Sequence, residues 1–148
     1  MSEVLKYDDE FFMKKAFEEA QKAERLQEVP IGAVIVANNR IIARAHNLTE
    51  TLNDVTAHAE MQAITAAAES LGGKYLKGCT IYVTMEPCQM CAGALYWSQI
   101  SKVVYASADD KRGFLAMGAK LHPKTTVAYG VLEYECSTIV KEFFKKRR

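Results

Sequence analysis

Apolar residues recur at helical spacing after Asp8-Asp9, where Met13, Ala16, Phe17, Ala20 and Ala23 form one stripe. Either aspartate can cap the helix that carries them. Pro30 ends that segment. The residues that follow, IGAVIVANNRIIARAHN, hold two apolar runs, Ile31 to Ala37 and Arg40 to Ala45, joined by Asn38-Asn39. Asparagine tolerates positive φ, so this stretch predicts a β-hairpin. A polar loop from His46 to Val55 leads to Thr56, the predicted N-cap of a second helix that runs through Ser70 and is broken by Gly72-Gly73. CTIYVTM predicts a third strand. Pro87 comes one residue after it and suits the first position of a third helix, where a missing N–H costs nothing. KVVYAS reads as a fourth strand, ADDKRG as a turn, TVAYGVL as a fifth strand, and a last helix starts at about Glu133. Strand, helix and strand around Pro87 imply a parallel pair beside the antiparallel hairpin. The predicted class is α/β: a mixed five-stranded sheet with helices on both faces, in three α/β/α layers.

No repeat, low-complexity stretch or linker divides the 148 residues, so one domain over 1–148 is expected. Apolar residues make up 49% and charged residues 25%, a globular rather than a disordered balance, and the net charge of +1 excludes a chain that is basic throughout. No apolar run approaches the ~18 residues of a spanning helix. MSEVLKYDDEFF is acidic and lacks the basic and apolar regions of a secretory leader. A cytoplasmic location without a membrane is therefore expected, in which four cysteines stay reduced. That turns attention from disulfides to metal binding or catalysis.

Cys88 and Cys91 stand three residues apart at the start of the third helix, close enough to share a face. A helix N-terminus favours the thiolate form a metal requires. Of three histidines, His46 and His122 fall in connections, whereas His58 in TAHAEMQA opens another helix. His58, Cys88 and Cys91 thus offer three ligands of a kind that suits zinc. Cys79 and Cys136 read as small buried hydrophobes, so no fourth ligand of the same quality is apparent, and an open position is the mark of a catalytic site. Glu60, two residues after His58, need not share its face and can serve the metal's water as a base, which two charge-cancelling thiolates make necessary. It can also be an ordinary acid in a first helical turn. Glu86 reads as a cap or a supporting group beside the Pro87 turn.

His-Ala-Glu followed by Pro-Cys-x-x-Cys resembles the zinc-dependent nucleobase deaminases. EVPIGAVIV, TAHAEMQAI, YVTMEPCQMCAGAL, DDKRG and EFFKKRR extend that resemblance, over nearly the whole chain, to the bacterial tRNA-specific adenosine deaminases of the cytidine/deoxycytidylate deaminase superfamily. The resemblance implies a cytidine deaminase-like fold and one zinc per subunit on His58, Cys88 and Cys91. It also implies a zinc-activated water, and Glu60 as proton shuttle. It further implies that Asn47 hydrogen-bonds the base and that Val29 and Pro30 wall the pocket. By the same carry-over Ala57 and Cys88 point backbone N–H groups towards the base and the metal's oxygen. Asp109 would touch the RNA backbone, and Phe143 and Phe144 would lie near the pocket mouth. Members are homodimers that turn adenosine 34 of a tRNA anticodon stem-loop into inosine.

On composition alone Asn47, Asp109 and Asp110 are equally good turn residues, and the basic tail KEFFKKRR equally completes a helix end or anchors phosphates. Tyr96 and Trp97 read as core or interface aromatics. Their run YWSQI departs from the tRNA enzymes and is similar to guanine deaminases, so a free nucleobase or nucleoside, such as guanine or cytosine, is the alternative substrate. A non-catalytic zinc module that only binds RNA is the rival from another class, which an open ligand position and Glu60 argue against.

Overall fold

The computed structural model describes residues 7–147. Its first helix, α1 (Asp9–Arg25), begins at an Asp8 N-cap whose Oδ1 accepts the Phe11 N–H at 2.9 Å. Phe12, Met13, Ala16, Glu19, Ala20 and Ala23 form its buried face. Phe17, expected in that stripe, is only half-buried, because it lies about 100° round the helix from the Ala16 line.

Asn38 and Asn39, at φ 51° and 59°, turn the hairpin of β1 (Gly32–Ala37) and β2 (Arg40–His46). After it come α2 (Ala59–Leu71), β3 (Cys79–Met85), α3 (Gln89–Ser98), β4 (Lys102–Ser107), β5 (Thr126–Tyr129) and α4 (Glu133–Lys146). The strand order is β2-β1-β3-β4-β5. β1 runs antiparallel to both β2 and β3, and β3, β4 and β5 run parallel, which is the mixed five-stranded sheet that the sequence predicts.

Alternation along the central strands divides the core in two. Ala33 and Ile35 of β1, Ile81 and Val83 of β3, and Val103 and Tyr105 of β4 pack with Ala59, Ala63 and Ala67 of α2 and Ala92 and Leu95 of α3. Val34, Val36, Tyr82, Val104 and Ala106 point the other way, onto Phe12, Met13 and Ala16 of α1 and Cys136 of α4. The helices therefore form outer layers on both faces. At the start of β1 a Cβ on Gly32 would overlap the Ala16 carbonyl and the Ala20 nitrogen, so only glycine lets α1 lie this close. Among the described residues, no helix is long and apolar enough to cross a membrane.

Three predicted boundaries move. Thr56 is not the N-cap of α2: its N–H and hydroxyl both donate to Asp54 Oδ1, at 2.8 and 2.7 Å, closing a turn before the helix, and His58 takes the cap position. Pro87 is not the first residue of α3 but precedes its N-cap, Cys88, which is extended at ψ 175°. The fifth strand stops at Tyr129, because Gly130 at φ 96° turns the chain out of the sheet.

Candidate active site

α2 and α3 pack on the same face of the sheet, and their first residues meet. His58 is the N-cap of α2, Cys88 is the N-cap of α3, and neither makes a side-chain cap hydrogen bond, so both side chains are turned to other work. His58 Nδ1 lies 3.7 Å from Cys88 Sγ and 3.5 Å from Cys91 Sγ. All three ligand atoms fall within 4.8 Å of one another. Tetrahedral zinc, with Zn–S of about 2.3 Å and Zn–N of about 2.0–2.1 Å, sets sulfur and nitrogen about 3.6 Å apart. The residues fit that ion in type and in spacing.

The other candidate ligands are elsewhere. Cys79 is buried at the far end of β3, and Cys136 lies in the core of the opposite face. His46 closes β2 with Nδ1 3.2 Å from Glu19 Oε1, and His122 Nδ1 accepts the Lys124 N–H at 3.1 Å. Among the described residues, His58, Cys88 and Cys91 are the group able to hold a metal.

The charges in the cluster are strongly displaced. The hydrogen bond to Cys91 brings the Cys88 thiol down to about 4, against the effect of burial. The same bond, together with burial, pushes Cys91 up. The pair thus favours the thiolate at Cys88, the form in which a cysteine binds a metal. The hydrogen bond to Cys88 raises His58. Glu60 is 4% exposed, and burial pushes its carboxyl up to about 7 against the pull of its own backbone N–H and of His58.

The segment before β1 carries the residues expected to wall the pocket. Pro30 is buried and Val29 half-buried. Asn47 is also buried, and its amide ties the two segments together, donating to Val29 O at 3.4 Å and accepting from Thr49 N–H at 3.3 Å. One amide hydrogen and one lone pair remain for another partner. The Ala57 N–H, expected to face a base, donates to Asp54 O at 3.1 Å. Asp109 Oδ1 accepts the Lys111 and Arg112 N–H groups at 3.1 and 3.0 Å, so that oxygen serves its own turn. Phe143 is buried beneath Arg147, whose guanidinium sits 4.4 Å from the ring centre and donates to Gln27 O. That contact ties the end of α4 to Gln27, just before Glu28, while Phe144 stays 48% exposed. Tyr96 and Trp97 are not core residues: they are 36% and 77% exposed, on the outer side of α3.

Sequence reasoning missed two supports. Glu28, fully buried, accepts the Glu50 and Thr51 N–H groups and the Thr51 hydroxyl at 3.1, 2.7 and 2.7 Å, and so fixes the loop after Asn47. Gln62 donates to His46 O at 2.8 Å and Ala57 O at 3.1 Å, holding the start of α2 against β2. No periodicity or motif marks either. A groove of about 400 Å³ runs along the outer side of α2 past Leu52, Ala57 and Met61, but no metal-ligand residue lines it, so it is not the reaction site.

Comparison with known proteins agrees with the geometry. The profile of the cytidine and deoxycytidylate deaminase zinc-binding region matches residues 6–107. The chain is 48% identical over 146 residues to the tRNA-specific adenosine deaminase of Bacillus subtilis, covering 95% of this chain and 91% of that protein. It is 46% identical over 144 residues to the same enzyme of Aquifex aeolicus, covering 94% and 95%. A solved structure from work on A-to-I editing by tRNA:A34 deaminases superposes with a TM-score of 0.82 at 42% identity, covering 87% of this chain and 98% of that one. The guanine deaminase of Bacillus subtilis superposes with a TM-score of 0.66 at 41% identity, covering 69% of this chain and 66% of that one. A family profile matched through both halves of the ligand set, and near-full-length relatives at this identity, make the chain a member of the zinc-dependent cytidine and deoxycytidylate deaminase family.

Proposed function

We propose that this chain hydrolyses adenosine to inosine at wobble position 34 of tRNA, with water replacing the C6 amine and ammonia leaving. The observation that carries the reading is the tetrahedrally spaced His58, Cys88 and Cys91 with buried Glu60 two residues along α2. Bound by those three residues, zinc would supply Lewis acidity that makes water nucleophilic at neutral pH. Glu60 would take one proton from the attacking water and pass it to the departing amine, while the water's second proton ends on N1 of inosine, so that adenosine and water give inosine and ammonia. Its burial keeps bulk water from competing for the carboxyl. Asn47, held against Val29 and Pro30, offers its free amide hydrogen and lone pair to the edge of the base. Ala57 closes the pocket beside His58, and Asp109, Phe143 and Phe144 border the path of the flanking nucleotides.

The relatives aligned over nearly all of the chain at 46–48% identity are named as tRNA enzymes, whereas the guanine deaminase structures match 69% of it at 41% identity or 95% of it at 24%. The free-base alternative is thus the less supported one. A scaffold module is less supported still, since it has no use for a buried carboxylate beside an open metal. The whole chain acts as one domain in the cytoplasm, as a homodimer whose contact would cover apolar groups now open to solvent, such as Val55 and Trp97.

The test is inosine formation and ammonia release on an anticodon stem-loop with adenosine at 34, beside free guanine, cytosine and adenine. Turnover of the stem-loop alone is expected. Turnover of a free base with the stem-loop inert would overturn the reading.

A further inference from the structure

Glu86 stands immediately before Pro87 and is 5% exposed. Among the described residues no cation pairs with it. A buried carboxylate without a cation is costly unless donors surround it, and here both donors come from one segment. Oε1 accepts the Asp109 N–H at 3.0 Å and Oε2 accepts the Leu115 N–H at 3.1 Å. The face of the carboxylate lies on Gly113, where a Cβ would overlap the carboxyl carbon and both oxygens.

The same segment is laid along the metal loop. Phe114 N–H donates to Pro87 O at 2.9 Å, Gly113 bridges to Cys88, and Glu86 N–H donates to Ser107 O at 2.8 Å. Asp109 then orders Lys111 and Arg112, both exposed. Among these contacts Glu86 is the side chain that grips the loop after β4 at two points, Asp109 and Leu115, and it stands two residues from Cys88.

We propose that Glu86, seated on Gly113, is a positioning residue that fixes the Asp109–Leu115 segment beside Cys88 and so sets the affinity for the polynucleotide substrate, leaving the metal and the chemical step alone. This rests on the tRNA reading given above. A carboxylate that only stabilised the fold would change the melting temperature, and the folded enzyme would keep its KM.

The test compares zinc-loaded Glu86→Ala, Glu86→Gln and Gly113→Ala with the parent protein. Glu86→Ala should raise KM for the adenosine-34 stem-loop about tenfold while kcat stays within about twofold and zinc remains one per chain. Glu86→Gln, which keeps one acceptor and turns an NH₂ towards the second N–H, should fall between. Gly113→Ala should reproduce the rise by pushing the carboxylate off its seat. Should Glu86→Ala not fold, the other two carry the comparison. Hydrogen exchange gives a readout independent of substrate: the Asp109 and Leu115 amides should lose protection in Glu86→Gln. An unchanged KM in folded, zinc-loaded variants overturns the proposal, as does retained protection of both amides or a loss confined to kcat and zinc. A parent protein inert on the stem-loop would instead sink the tRNA reading, and the exchange data would still judge the lock.

Discussion

Glu28 and Glu60 are both shut off from solvent, at 0% and 4% exposure, yet their surroundings treat them in opposite ways. Burial pushes the Glu28 carboxyl up, but the Thr51 hydroxyl and the Thr51 and Glu50 N–H groups more than offset it, and the group ends below its ordinary value. For Glu60 burial is the largest influence, Cys88 adds to it, and only its own backbone N–H, His58 and the Cys91 thiol pull the other way, so it ends raised. Burial alone therefore does not mark a reactive carboxyl. The donors committed to it matter as well: Glu28 is spent on the Glu50–Thr51 turn, whereas Glu60 has few donors and, in the proposed reaction, would be left free to carry a proton.

That contrast can be broken most sharply at Glu60. Glu60→Ala should lower deamination by about 10²–10⁴-fold with one zinc still bound, measured by inosine formation and metal analysis. Zinc lost along with activity would make Glu60 another anchor like Glu28. Glu28→Ala should show the reverse profile, with zinc retained and stability reduced by about 3 kcal/mol in denaturant unfolding, since three donors lose their buried acceptor. A smaller effect separates the two by pH. Glu28 has a folded value below its ordinary 4.5, so its contribution is full above that pH and is lost as pH falls through the depressed value. Glu28→Gln should flatten the acid limb of the stability curve below about pH 4.5 and change little at neutral pH. The smallest effect belongs to an exposed carboxylate. Glu10, 3.8 Å from Lys14 with both side chains about 60% exposed, should shift stability by less than about 0.5 kcal/mol when changed to Gln.

The parts of the molecule built from local or periodic rules are legible in the amino-acid sequence. Asp8 as a cap, Asn38-Asn39 as the hairpin turn, and the alternating strands β1, β3 and β4 follow from backbone sterics and side-chain period alone. The ligand set follows from residue chemistry, because among the histidines and cysteines only His58 and the Cys88–Cys91 pair open helices. What stays hidden depends on partners far along the chain. Glu28 binds a turn 22 and 23 residues away, Gln62 reaches His46 across 16, and Glu86 spans 29 to Leu115. The helix starts are misread for a related reason. Asp54 claims Thr56 for a tighter turn, and the ligands His58 and Cys88 occupy the positions where a capping hydroxyl would be expected.

The pairing of β1 with β3 joins Ala33 to Val83, residues fifty positions apart. A slip of one residue there would exchange the two faces of β3, sending Ile81 and Val83 towards α1. The chain leaving Met85 would then carry Cys88 and Cys91 to the wrong layer, away from His58. Ligand spacing is thus a readout of strand register. The full triad needs this ladder aligned, so zinc held by His58 together with Cys88 and Cys91 during refolding would count correctly registered molecules.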